Sequence, residues 1–269
     1  MPIPLRSPDE IDALARAGEA CASILDRLVD ACSAGVMTAD LDALASEEIR
    51  RVGASPLFLN YNAPAGSKPF PGCVCISINE ELVHGVPGER LVRPGDVVSI
   101  DLGLRLNGWC ADSARTVLVP PVASEHAAQH THLLTLLDQA IEMMAPGVRW
   151  SEVVRAVGER AASAGYTLIE PYAGHGIGRE LHEPPRAPLR NAKPDAVSAL
   201  APSDDFVLRP GMVLTIEPIL VRGSGSTRLA PDGWTVLAAD RAVGCHEERM
   251  VAIVRGGSRM LTAAPIRSA

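Results

Sequence analysis

Apolar residues recur at helical spacing near the start of the chain. Ile11, Leu14, Ile24, Leu25, Leu28 and Val29 follow Ser7-Pro8-Asp9-Glu10. That tetrad is a capping box with proline at the first helical position, where a missing N–H costs nothing. Gly35 ends the run. Thr38 is read as the cap of a second helix carrying Leu41, Leu44 and Ile49 and closed by Gly53. The pattern then changes to apolar and β-branched runs over 73–78, 97–104, 109–119, 213–221 and 250–254, which predict strands. Helices and strands do not alternate one for one, and Asn107-Gly108 between apolar flanks announces a hairpin. The pattern predicts an α+β fold with mainly antiparallel pairing rather than a doubly wound parallel sheet.

The helical pattern returns 112 positions on. Gly35-Val36 aligns with Gly147-Val148, Glu47 with Glu159, Gly53 with Gly165, and Ile24-Leu25 with Leu136-Leu137. Few identities survive, but the offset predicts two similar halves, each with two helices and then strands. One pseudo-symmetric domain over residues 1–269 accounts for the length without a linker. The stretch 190–206, rich in Ala, Pro, Ser and Asp, reads as a surface loop.

Composition narrows the function classes. With 25 Lys and Arg against 32 Asp and Glu the net charge is −7, and the basic residues are scattered, which argues against stable nucleic-acid binding. At 47% hydrophobic and 21% charged residues the chain is not disordered. No apolar run approaches the ~18–20 residues of a membrane span, and the N-terminus lacks the apolar region of a secretory signal. The six cysteines (Cys21, Cys32, Cys73, Cys75, Cys110, Cys245) include no C-x-x-C and are expected as buried or site-lining thiols in a reducing cytoplasm.

The hairpin carries the first candidate chemistry. With Asn107-Gly108 as a two-residue turn, Leu106 faces Trp109 and Gly103 faces Asp112. Asp101 and Asp112 then share a sheet face, with Cβ atoms about 7 Å apart. Two such carboxylates in apolar surroundings raise each other's pKa and need compensation. A cation between them is the simplest remedy, and Gly103 opposite Asp112 leaves room for one. One solvated aspartate beside a turn-proximal one is the plainer alternative.

Further on, Gly174-His175-Gly176-Ile177-Gly178 sets three glycines around an imidazole, allowing close backbone approach and clearing space about His175. It does not fit a nucleotide-binding G-x-G-x-x-G. His182 is a second candidate. Glu217 stands in the apolar run Met212-Val213-Leu214-Thr215-Ile216-Glu217-Pro218, where a carboxylate is seldom present for solubility. His246-Glu247-Glu248-Arg249 precedes the last apolar strand. Two Asp, two Glu and one His suit a pair of divalent ions such as manganese, iron, cobalt or zinc, and not a structural thiolate site. Such a pair implies hydrolysis.

Together with Ser77-Ile78-Asn79-Glu80 through His84-Gly85-Val86-Pro87, Thr215-Ile216-Glu217-Pro218 and Asp232-Gly233-Trp234-Thr235-Val236, these segments resemble the type I methionine aminopeptidases, of the dinuclear pita-bread fold. The resemblance runs over nearly the whole chain. It implies that Asp112 and Glu248 bridge two ions, that Asp101 binds one, and that His175 with Glu217 binds the other. It further implies that a shared hydroxide attacks the scissile carbonyl while Glu217 manages the water's proton. By the same resemblance, His182 serves the carbonyl oxygen, His84 sits near the scissile amide, and the substrate amino terminus binds on the Asp101 side. The resemblance also implies a methionine pocket lined by Cys75, Phe70, Leu181 and Trp234. The implied substrates are nascent polypeptide N-termini with a small second residue, met near the ribosome by a cytoplasmic monomer.

The chain departs from the family where Glu248-Arg249-Met250 stands for the usual Glu-His-Thr, and where Leu181 replaces a common aromatic. Glu247 is one residue from Glu248, and a slip would exchange them; a slip in a strand turns the wrong face inward, which favours Glu248. His126, His130 and His132 are read as a solvated helix face rather than ligands. The rival readings are an X-Pro aminopeptidase or prolidase with the same ligand types, and a catalytically silent pita-bread binding protein.

Overall fold

The computed structural model of the chain describes residues 2–62, 68–170, 172–192 and 200–263. Helix α1 spans Pro8–Ala31, and its capping box is formed on both sides: Glu10 N–H donates to Ser7 Oγ at 3.3 Å and Ser7 N–H to Glu10 Oε2 at 2.9 Å. Helix α2 spans Thr38–Arg51, so Thr38 opens the helix rather than capping it. Met37 holds the cap position, and Asp40 reaches back to its N–H at 3.2 Å. The Thr38 hydroxyl is drawn to Gly88 instead, accepting from its N–H at 2.8 Å and lying 3.0 Å from its carbonyl oxygen.

Both strands of the hairpin are ten residues long, Val97–Leu106 and Trp109–Leu118. Their register pairs Leu106 with Trp109 and Gly103 with Asp112, as the Asn-Gly turn predicts. Asn107 (φ 51°) and Gly108 (φ 78°) both take the left-handed conformation that a type I′ turn requires. Cys75–Ile78 and Ser55–Pro56 pair along Val97–Leu106. Cys73 and Val74 fall outside the expected strand because the Asp42 carboxylate takes their N–H groups at 2.6 and 3.2 Å. Helix α1 and α2 cover this sheet, burying Leu14, Leu25, Leu28, Ile100, Leu102 and Trp109 in one core.

The second half repeats the plan. Helices α3 (Ser124–Met143) and α4 (Trp150–Ser163) cover a five-stranded antiparallel sheet ordered Gly257–Met260, Arg249–Val254, Val213–Ile216, Ala173–Gly176, Glu183–Pro188. Leu136, Trp150, Val154, Leu214 and Val251 form its core. The expected strand over 213–221 is broken at Glu217-Pro218 into Val213–Ile216 and Ile219–Val221, since proline has no N–H to give a ladder. In the 190–206 stretch, Leu200 and Phe206 are buried and a 3₁₀ turn spans Pro202–Asp204; residues 193–199 lie outside the described residues. All six cysteines are buried and unpaired. Among the described residues no helix is long and apolar enough to cross a membrane.

Candidate metal centre and its pocket

The two sheets meet at one antiparallel bridge, Ala114 with Glu248. Its two backbone hydrogen bonds measure 3.1 and 3.3 Å, and Ser113 Oγ donates to the Glu248 carbonyl at 2.7 Å. This seam sets the hairpin's aspartates beside the donors of the second half. Asp101, Asp112, His175, Glu217 and Glu248 all line one cavity of about 300 Å³. One ligand atom each from Asp112, His175 and Glu248 lies within 4.8 Å of the others.

Glu247 and Glu248 part company. Extended backbone sends successive side chains to opposite faces. Glu248 enters the cavity, while Glu247, equally buried, takes the opposite face to accept from Thr116 N–H at 2.9 Å, to meet His130 Nε2 at 3.0 Å, and to pair with Arg249 at 2.8 Å. Burial alone would raise the Glu247 carboxyl. The His130 contact, the Arg249 charge and the Thr116 N–H outweigh it and hold the group below its usual range. Two of the three histidines of α3 are therefore not part of a solvated face: His130 is tied to Glu247, and His132 stacks on Tyr166 at 5.2 Å. The polar start of α3 packs along Ile219–Val221 and Gly244–His246, where Gln129 Nε2 donates to the Leu220 and Val243 carbonyls.

At the cavity carboxylates such contacts do not outweigh burial. Burial, reinforced by their neighbours' charges, pushes Asp112 and Glu248 well above the carboxylate range. Burial also raises Asp101 to about 7 and Glu217 to about 8. Asp101 Oδ1, Asp112 Oδ1 and Glu248 Oε1 are buried without a hydrogen-bond partner. His175 is prepared differently. Its backbone N–H donates to Thr215 Oγ1, and its Nδ1 lies 3.0 Å from the Gly176 carbonyl. With the ring proton on Nδ1, the Nε2 lone pair points toward Asp112 Oδ2, 3.8 Å away. Desolvation pushes this imidazole down to about 4, so it stays neutral. Orphaned carboxylate oxygens beside a neutral, oriented imidazole fit divalent cations of the oxygen- and nitrogen-preferring kind.

Two details differ from expectation. The room beside Gly103 is filled by Phe58, whose ring a Cβ there would meet at 2.7 Å. The glycines flanking His175 admit backbone rather than clear space: a Cβ on Gly174 would meet the Thr215 carbonyl at 2.3 Å, and one on Gly176 the Pro184 carbonyl at 2.2 Å.

Around the carboxylates the cavity wall holds Cys75, Phe70, Leu181 and Trp234, with His84 and His182 on its sides. Phe70 and Trp234 pack edge to face at 5.3 Å, and Asp232 fixes the turn before Trp234 through Thr235 Oγ1 at 2.6 Å. His182 packs edge to face on His175 at 4.3 Å, and the Tyr61 hydroxyl lies 2.9 Å from its Nδ1. Burial pushes His84 down to about 4. Sequence reasoning missed Phe58, Tyr61, Tyr172, Arg186 and His246. Phe58, Tyr61 and Tyr172 sit on irregular segments with no periodic signal, and Arg186 on the proline-containing edge strand Glu183–Pro188. His246 was findable, two residues before Glu248 and so on the same face of an extended chain.

The sequence matches metallopeptidase family M24 over residues 12–255. It is 36% identical over 97% of its length, and 96% of the relative's, to a methionine aminopeptidase of Treponema pallidum. A methionine aminopeptidase structure from Thermotoga maritima superposes with a TM-score of 0.88 at 31% identity, covering 97% of this chain and 99% of that one. A prolidase from Pyrococcus horikoshii shares the fold at TM-score 0.73 and 23% identity, with 98% of this chain matched to 64% of the prolidase. These likenesses confirm the pita-bread architecture and a divalent-metal hydrolase family. The chain belongs to metallopeptidase family M24, on its methionine aminopeptidase branch.

Proposed function

We propose that the protein removes N-terminal methionine from nascent polypeptides, using two divalent ions drawn from cobalt, manganese, iron or zinc. The observation that carries this reading is the set of buried, partnerless carboxylate oxygens on Asp101, Asp112 and Glu248 in a cavity whose wall also holds Cys75, Phe70, Leu181 and Trp234. Asp112 and Glu248 would hold both ions, Asp101 one, and His175 with Glu217 the other. Ions held there would supply a water of lowered pKa and a polarised scissile carbonyl.

The chain's own residues do the rest. Cys75, Phe70, Leu181 and Trp234 hold the methionine side chain, and the free amino terminus lies toward Asp101. His182 donates to the carbonyl oxygen as it gains charge, with Tyr61 fixing its ring. Glu217 takes a proton from the attacking water and returns it to the departing amide nitrogen, beside which His84 is placed. Water thus adds its oxygen to the carbonyl carbon as the C–N bond breaks, leaving methionine and a shortened chain. The narrow site favours a small second residue. The whole chain acts as one catalytic domain and as a monomer. Its unpaired thiols suit a reducing cytoplasm, where nascent chains are met near the ribosome without stable RNA contact.

The test is cleavage of Met-Ala-Ser and Ala-Pro-Ser by metal-stripped protein refilled with manganese or cobalt, with Asp112→Ala as control. Release of methionine alone, abolished in the variant, is expected. Release of alanine ahead of proline would place the protein on the X-Pro branch. No cleavage by protein holding two ions would favour a binding role.

A further inference from the structure

The five donors above leave one buried imidazole unexplained. His246 is 2% exposed, and its Nε2 has no hydrogen-bond partner. That nitrogen lies 3.8 Å from Glu217 Oε2, and a ligand atom from each of Glu217, His246 and Glu248 falls within 4.8 Å of the others. The backbone holds it there. His246 N–H faces Ser99 Oγ at 3.2 Å and Thr116 Oγ1 at 3.1 Å, and Thr116 Oγ1 donates to its carbonyl at 2.7 Å. Pairing of His246 with Ile219 brings the end of its strand to the Glu217-Pro218 break. Alternation along extended chain then gives His246 and Glu248 one face and Glu247 the other.

We propose that His246 is a further donor to the ion held by Glu217 and Glu248, so that this centre carries a second imidazole beside His175. The inference rests on the divalent-ion reading of the site and sharpens it. Carboxylates alone suit manganese and magnesium, whereas added imidazole nitrogen moves preference toward zinc, iron or cobalt. The polar face that folds around Glu248 would in this chain select its metal.

The test uses full-length protein, stripped and reloaded. In the cobalt form, each ligated imidazole gives a paramagnetically shifted, exchangeable N–H proton resonance. Two are expected in the wild type, with one lost in His246→Gln. Calorimetric titration should give His246→Gln a zinc affinity at least about tenfold weaker, with a smaller loss for manganese. A single imidazole resonance in wild type, or unchanged zinc affinity in folded His246→Gln, would overturn the inference while leaving the five-donor site intact. Should the variant fail to fold, the wild-type imidazole count decides. Failure of wild type to take up zinc or cobalt at all would overturn the metallopeptidase reading, and this inference with it.

Discussion

The two halves of the molecule share a scaffold and differ in their chemistry. Helices α2 and α4 are both 14 residues long, 112 positions apart, and each is followed at the same offset by a two-residue strand, Ser55–Pro56 or Thr167–Leu168. Gly35 and Gly147 take φ of 95° and 92°, and Gly53 and Gly165 take 73° and 77°. Both helices begin with an N3 acid, Asp40 or Glu152, reaching back to the cap N–H. Both cap residues enter an isolated bridge, Met37 with Leu91 and Arg149 with Val207. The donors show no such repeat. The first half offers two aspartates on an unbroken hairpin, while the second offers His175, Glu217 and Glu248 around strand ends and breaks. Local rules such as caps and left-handed glycines repeat because each half must fold its own core. The charge at the seam is assembled by neither half alone.

Removing a donor from either side should break the comparison most severely. Asp112→Asn from the first half and Glu248→Gln from the second are each expected to lower methionine release on the order of 10³-fold or more. The double variant should be little worse, as for groups acting as one unit. Steady-state rates at saturating metal check this. Additive losses would mean that the halves act separately.

Glu247→Ala should do the opposite of Glu248→Gln. It takes the carboxylate partner from the Arg249 guanidinium, 11% exposed and otherwise held by the Ala114 and Glu248 carbonyls, and removes the anchor of His130. Breaking a buried pair of this kind costs about 3–5 kcal/mol. Urea unfolding should register that loss, while the folded variant keeps its metal content. Metal loss at full stability would exchange the two glutamates.

Acidity offers a milder probe. In metal-free protein Asp101 and Glu217 are raised to about 7 and about 8, whereas His84, His175 and His246, lowered to about 4, oppose them at lower pH; between pH 7 and 8 the carboxyls prevail and the folded state binds more protons than the unfolded. Stability must then fall as pH rises through that window. Ion binding there must also release protons. The expected outcome is a melting temperature that declines from pH 7 to 8 without metal and stays flatter with it. Calorimetry in buffers of different ionisation enthalpy should detect more proton release at pH 6 than at pH 8.5.

The smallest effect tests the repeat itself. Gly35 and Gly147 have open space where a Cβ would stand, so alanine at either is opposed only by the left-handed backbone. Each substitution should cost about 1–2 kcal/mol, and the two costs should match. A marked inequality in urea midpoints would show that the equivalence stops at geometry.

Much of this was legible in the chain because the signals were local. The Ser7 capping box, the Asn107-Gly108 turn and the facing of Gly103 and Asp112 depend on neighbours in sequence, and all appear in the structure. That Glu248 rather than Glu247 faces the cavity was expected from its spacing after Asp232-Gly233-Trp234 in the family resemblance, with strand alternation in support. What failed depended on distant packing. Phe58 fills the room beside Gly103 because it arrives from another segment. Thr38 loses its capping role to Gly88, fifty positions away. His130 is drawn inward by a glutamate on the far side of the chain. His246 was overlooked although alternation exposed it, because Glu248 already met the demand for a last ligand.

The central claim is that donors from both halves share the same ions. Anomalous diffraction from crystals loaded with zinc or cobalt tests it most directly. Two peaks are expected in the cavity, both in contact with carboxylate oxygens of Asp112 and Glu248, with Glu247 still bound to Arg249. Peaks confined to the donors of one half, or held by Glu247, would contradict it.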